Sequence, residues 1–252
     1  MDTLSDVETF KRAALAQWEQ AAPGWNGHTP QIRAWLRPAT DAMLAMAGVR
    51  SGARVLDVAA GAGDQTLDIA ARVGPGGSVL ATDLSPAILA FARANALRAG
   101  YANVETFRAD AEHLELPEAN FDAAVCRLGL MLLPQPLQAL RGMHRALKRG
   151  GGLCVMVFSV PQANPCVAVL MATALEFAGL AARDPFQPGG LFSAGKPGLL
   201  DALFKEAGFH DVATTTLQAP FTLPSARHYL EFVRTSASPI QQILGGLDAA
   251  KR

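Results

Sequence analysis

From Val55 onward, short apolar runs alternate with amphipathic stretches of helical length, and this alternation restricts the fold more than anything else in the chain. "RVLDVAA" reads as a buried strand, and "DQTLDIAARVG" as a helix stopped by Gly74-Pro75-Gly76-Gly77. "SVLATD" is a second strand. "SPAILAFARANALRAG" is a helix with Ser85 as N-cap, Pro86 at its first position and Gly100 past its end. "VETFRAD" and "FDAAVCRL" are a third and a fourth strand. "LQALRGMHRALKRG" is another helix, and "GLCVMVF" is a fifth strand after the Gly150-Gly151-Gly152 turn. Strands and helices at this spacing predict an α/β fold, a mostly parallel, doubly wound sheet with helices on both faces.

Two parts fall outside the rhythm. Residues 1–50 read as helical, with Trp18, Trp25 and Trp35 in or beside amphipathic stretches. Residues 161–196 hold a helix, "CVAVLMATALEFAGLAA", and a Pro/Gly-rich loop, "RDPFQPGGLFSAGKPG"; a helix ("GLLDALFKEAG") and a strand ("DVATTTLQAPFTL") follow. The expected division is an N-terminal helical cap over 1–50, a ligand-binding core over 51–160, an inserted helical lid over 161–196, and the rest of the core over 197–252.

Composition narrows the function classes. Lys plus Arg and Asp plus Glu both number 22, so the net charge is zero and no basic surplus points to nucleic acid. Cys126, Cys154 and Cys166 show no CxxC spacing, and the five histidines have no metal spacing, so neither disulfide nor metal is expected. The N-terminus carries acids where a signal peptide has bases, and no run of about 18 apolar residues appears. A cytoplasmic protein with a small-molecule ligand and no membrane span is expected.

In open parallel sheets, ligands bind where strands end and helices begin. Strand one ends in Ala59-Ala60-Gly61-Ala62-Gly63, strand two in Asp83, strand three in Asp110-Ala111 and strand four in Cys126-Arg127-Leu128-Gly129. Gly61 and Gly63 let the backbone turn and offer bare N–H groups. Asp83, 20 residues beyond Gly63, can grip two ribose hydroxyls. Asp110 can accept from an exocyclic amine. Together these describe an adenosine site. A dinucleotide fingerprint would want a third glycine where Thr66 stands, and Asp64 at the helix start would repel phosphate. Asp57 adds another negative charge. A cationic adenosyl ligand, S-adenosyl-L-methionine, fits this set.

At this point "LDVAAGAGD", "ATDLSP", "RADAEHLELPEANFDAAVCRLGLMLLPQP" and "LKRGGGLCVMVF" resemble the consecutive motifs of class I S-adenosylmethionine-dependent methyltransferases, in the group of the ubiquinone/menaquinone-biosynthesis C-methyltransferases. The resemblance covers roughly residues 50–160 and implies a Rossmann-like fold. It implies that Asp57 and the loop Ala59, Gly61 and Gly63 hold the methionine part. Asp83 would bind ribose with Leu84 beside adenine, Asp110 and Ala111 would read the adenine amine, and Arg127 and Leu128 would close the pocket. Trp18 and Trp25 are expected near the ligand, as packing residues or cation–π partners of the sulfonium. The family's first loop glycine is Ala59 here, which fits if φ stays negative. The family's sheet ends in a β-hairpin, yet helical text follows "DVATTTLQAPFTL", so a missing last strand in a truncated chain is expected.

Methyl transfer from a sulfonium needs alignment and dryness more than a catalytic group. Where the acceptor must lose a proton, His28, His113 and Arg127 are the candidates. The acceptor is expected between residues 1–35 and 161–196, near Met171, Phe177, Phe186 and Phe192, and so to be a small apolar or aromatic molecule. Two other readings stay open: a nucleotide-dependent oxidoreductase, disfavoured by Asp64 and Thr66, and a non-catalytic binding module that keeps the fold.

Overall fold

The computed structural model describes residues 3–181 and 184–236. Five strands, β1 (Arg54–Val58), β2 (Ser78–Asp83), β3 (Val104–Arg108), β4 (Phe121–Arg127) and β5 (Leu147–Met156), form one sheet in the order β3-β2-β1-β4-β5. Every pairing is parallel. The helices are α1 (Thr3–Gly27), α2 (Thr29–Met46), α3 (Asp64–Val73), α4 (Pro86–Arg98), α5 (Pro136–Ala146), α6 (Pro165–Phe177), α7 (Leu199–Glu206) and α8 (Ala226–Ser236).

Strand side chains alternate between two cores. Val55, Val79, Ala123 and Val125 join Met43 and Leu44 of α2 and Ile69, Ala70 and Val73 of α3 on one face. Leu56, Val58, Ala124 and Cys126 join Leu140 and Met143 of α5 on the other, with Ala207 beyond α7. Both faces of the central strands β1 and β4 are buried, so these two read as nearly continuous apolar runs. Ser85 caps α4 as expected, its hydroxyl accepting from the Ile88 amide at 3.2 Å.

Register lines up the strand ends. Val58 lies level with Thr82 and Cys126, and Asp83 with Arg108. The loop after β1, the tip of β2 and the residues just past β3 and β4 therefore share one edge. Crossovers on both sides of β1 make that edge a topological switch point, where a crevice opens between diverging loops.

The expected strand over "DVATTTLQAPFTL" does not form. Residues 212–224 have no strand hydrogen bonding, and most of them are exposed. Three consecutive threonines give β propensity, but propensity without a ladder partner does not make a strand, and Pro220 lacks a donor. The described sheet ends at β5. The helix expected over "SARHYLEFVRT" is α8, whereas "PIQQILGGLDAAKR" lies outside the described residues.

Candidate active site

A cavity of about 140 Å³ opens at the carboxyl edge of the sheet. Its floor is the loop after β1 (Ala59, Ala60, Gly61), Asp83 and Leu84 after β2, Ala109 to Ala111 after β3, and Arg127 to Gly129 after β4. Its cover is one face of α1: Phe10, Lys11, Ala14, Trp18 and Trp25. Leu132, Leu133 and Pro134 close one side.

Asp83 is held in place by backbone. Its carboxylate accepts from the Gly61 N–H and the Ser85 N–H, each at 3.0 Å. Burial pushes its pKa above the ordinary carboxylate range, against the pull of those backbone donors. The Gly61 bond ties the glycine loop to the tip of β2, and each carboxylate oxygen keeps a lone pair for a further donor.

Asp110 starts a 3₁₀ turn over Ala111–His113, accepting from the Glu112 N–H at 2.9 Å. Its other oxygen accepts from Lys11 Nζ at 2.7 Å. Lys11 also lies 2.5 Å from the buried Glu112, whose second oxygen accepts from the Gln135 N–H. Burial opposes the Lys11 charge, but the two carboxylates outweigh it and raise the pKa.

Several sequence expectations change here. Asp57 does not line the cavity. It lies fully buried beneath the loop, accepting from Gln65 Nε2 and Thr66 Oγ1, each at 2.6 Å. Its work is to brace the first turn of α3 against β1. Burial pushes its pKa up to about 7, against the opposing pull of the two donors. Asp64 lines the cavity, but its carboxylate is paired with the Arg127 guanidinium, both groups being buried. Arg127 also donates to Thr40 Oγ1 at 2.9 Å. The pair is neutral as a unit, so Asp64 adds no net charge to the cavity. Arg127, engaged on both arms, orients the wall and is badly placed to move a proton.

Ala59 takes φ +55°, not the negative φ expected of it. A left-handed alanine costs roughly 1–2 kcal/mol. The conformation persists because the next amide, Ala60 N–H, bonds to Thr82 O at 2.9 Å and fixes the turn. The Ala59 methyl occupies the space where a side chain at Gly129 would lie. Gly63 stays off the cavity; at φ +85° it precedes α3, and a Cβ there would meet Ala92 at 2.9 Å. Its bareness serves helix packing.

His28 and His113 are not in the cavity lining. The His28 ring lies 5.1 Å from Phe232 and is 2.8 Å from Thr235 Oγ1. His113 is exposed in the 3₁₀ turn. Ala59, Gly61, Asp83, Leu84, Asp110, Ala111, Arg127, Leu128, Trp18 and Trp25 do line it. The two indoles make an edge-on pair, centroids 5.6 Å apart at 84°. Lys11, Phe10, Ala14 and Gln65 were missed. Phe10, Ala14 and Trp18 recur every four residues, a helical stripe that could have pointed to α1 as a wall.

The expected acceptor region is partly assembled. Trp35 stacks on Phe158 at 6.5 Å and lies 4.6 Å from Phe221, while Phe158 lies 6.2 Å from Phe192. Ser193 Oγ donates to Met131 O at 2.5 Å, tying the insertion to the loop after β4. Phe177 is exposed, and Phe186 faces Lys196 at 4.9 Å, so neither joins this group.

The fold is one that solved methyltransferases share. A SAM-dependent methyltransferase from Aquifex aeolicus superposes with a TM-score of 0.50 at 22% identity, covering 67% of this chain and 78% of that one. The [4+2]-cyclase SpnF superposes at 0.54 and 21% identity, covering 75% and 71%. Residues 31–177 match the ubiE/COQ5 methyltransferase family, and the chain belongs to that family. The ubiquinone/menaquinone biosynthesis C-methyltransferase UbiE of Ectopseudomonas mendocina (strain ymp) is 43% identical over 129 residues, 51% of this chain and 50% of that protein. The chain spans about half the length of the curated relatives it matches.

Proposed function

We propose that the cavity binds S-adenosyl-L-methionine and that the protein transfers its methyl group to a small apolar or aromatic molecule. The observation that carries this reading is Asp83, fixed by the Gly61 and Ser85 amides at the cavity edge with lone pairs left for two ribose hydroxyls. Asp110 then stands at the adenine end with Ala111, Leu84 flanks the base, and Gly61 offers close backbone approach. Trp18 and Trp25 line the interior beneath α1, and Arg127 with Leu128 forms another part of the wall.

The cofactor supplies an activated methyl on a sulfonium. The residues align it and exclude water, and α1 is the element that makes the cavity dry. In-line displacement forms the new bond to the methyl as the sulfur–methyl bond breaks, and a ring carbon that takes the methyl then releases its proton to solvent. Membership in the ubiE/COQ5 family, and relatives named for C-methylation in quinone biosynthesis, support carbon of an aromatic ring as the acceptor atom. The aromatic group of Trp35, Phe158, Phe192 and Phe221 suits such a ring. In this reading residues 1–50 cap the core of 51–160, and 161–196 form the acceptor side.

Fold alone does not carry the activity, since a cyclase shares it. Calorimetry with S-adenosylhomocysteine and with NADH decides the cofactor. Micromolar binding of the former alone is expected; binding of NADH instead would overturn the reading. Transfer of labelled methyl from S-adenosylmethionine to a hydroquinone or phenol panel then decides activity against a binding module.

A further inference from the structure

The family match begins at residue 31, so α1 and its side chains lie outside it. Yet α1 supplies five of the residues lining the cavity. Its two parts are attached very differently. None of residues 6–20 is buried, whereas Ala21 and Ala22 are fully buried, Ala22 packing with Ala62 and Ile88. Just beyond, Pro23 lacks the N–H that would bond the Glu19 carbonyl, and Gly24 lies hard against the Thr235 backbone of α8. Asn26 accepts from Asn95 at 2.8 Å. The end of α1 is thus anchored on two sides, with a break in its hydrogen bonding at the anchor.

The part before the break is held by the half-buried Trp18, packed against Ala62 and Ile88, and by polar contacts that include Glu19 and Lys11. Glu19 accepts from Ser85 Oγ at 2.9 Å and from the Ala87 N–H at 3.2 Å. Lys11 bridges Asp110 and Glu112 at 2.7 and 2.5 Å, and Glu112 is buried. The cavity beneath this cover holds about 140 Å³. A ligand that passes beneath these side chains on its way in or out needs α1 to give way.

We propose that Lys11 is a positioning residue: its ammonium, seated between Asp110 and Glu112, latches residues 6–20 of α1 over the cavity, and the ligand enters and leaves when that latch opens about Pro23 and Gly24. The assignment of the ligand as adenosyl rests on the reading under Proposed function; the latch itself does not. Lys11 sits at the one end of the cavity where two adjacent carboxylates would otherwise repel each other. Its ammonium closes the cover there. Trp18 and Trp25 straddle the break, so their edge-on pairing reports its opening.

The test uses the full chain, with Lys11→Met and Lys11→Arg beside the wild type. Stopped-flow tryptophan fluorescence gives association and dissociation rates for S-adenosylhomocysteine. In Lys11→Met both rates rise by about tenfold, the worth of one charge-assisted hydrogen bond, with the dissociation constant little changed. In Lys11→Arg both return to within about threefold of wild type, because the guanidinium can span the same two carboxylates. Unchanged rates, or a faster dissociation alone, overturn the latch, the latter because it marks a static contact and not a gate. Hydrogen exchange over residues 6–20 of the ligand-free protein is the second readout. Exchange there speeds up in Lys11→Met, while β1 and β4 stay as protected as in wild type. Should the wild type bind no S-adenosylhomocysteine, the cofactor reading fails and the exchange result alone judges the latch. Unchanged exchange over residues 6–20 then overturns it.

Discussion

The floor and the cover of the cavity are built on opposite principles. In the floor, polar groups are buried and matched: Asp57 with Gln65 and Thr66, Asp64 with Arg127, Asp83 with two backbone amides. In the cover, residues 6–20 of α1 bury no side chain completely, and Lys11, Glu19 and the half-buried Trp18 help to hold them. Buried networks are costly when one member is lost, so they fix geometry. Lightly packed elements open at little cost, so they can let a ligand pass. The difference teaches that one site can be rigid where charge is oriented and loose where traffic must occur.

The sharpest break of this contrast is Arg127→Met. It leaves the Asp64 carboxylate buried without its cation and should cost about 3–5 kcal/mol in urea denaturation. A loss under about 1 kcal/mol would mean that the floor is not built on this pair. Asp83→Ala comes next: S-adenosylhomocysteine affinity should fall by about 1.5–3 kcal/mol, the worth of hydrogen bonds to a charged group. Unchanged affinity in calorimetry would remove Asp83 from the ligand.

Ala59→Gly should stabilise the fold by about 0.5–1 kcal/mol, the relief of a left-handed alanine less the extra freedom of an unfolded glycine. A destabilisation by thermal melting would show that the methyl's packing against Gly129 outweighs its strain. Asp57 provides a pH test. Its folded pKa of about 7 lies above the ordinary 3.8, so the folded state holds the proton more tightly. That contribution is complete below about pH 4 and is lost as pH rises through 7. Denaturation midpoints measured from pH 5 to 8 should therefore fall less steeply in Asp57→Asn than in wild type; parallel curves would sink the assignment. The smallest effect belongs to the cover. Glu19→Gln should change global stability by less than about 1 kcal/mol, since its contacts are largely exposed. A loss comparable to that of Arg127→Met would erase the contrast.

The sheet was legible because apolar runs, glycine stops and helix caps agree with one another from Val55 to Phe158. The strand-end residues followed from topology, and ten of the expected contacts line the cavity. Other features were hidden for identifiable reasons. Nothing local distinguishes an acid that meets the ligand, such as Asp83, from one that braces a helix, such as Asp57; only the partners do. The Asp64–Arg127 pair spans 63 residues of sequence and needs the β1–β4 pairing to exist. Lys11 reaches Asp110 across 99 residues by the same kind of tertiary docking. The failed strand over residues 212–224 shows the converse, β-branched residues with no described neighbour to pair with.

The most direct measurement is a crystal structure of the chain with S-adenosylhomocysteine bound. The account predicts both ribose hydroxyls within about 3 Å of the Asp83 carboxylate, adenine between Leu84 and Ala111, and Lys11 seated on Asp110 and Glu112. A ligand that lies elsewhere, or one that binds here with its ribose away from Asp83, would contradict it.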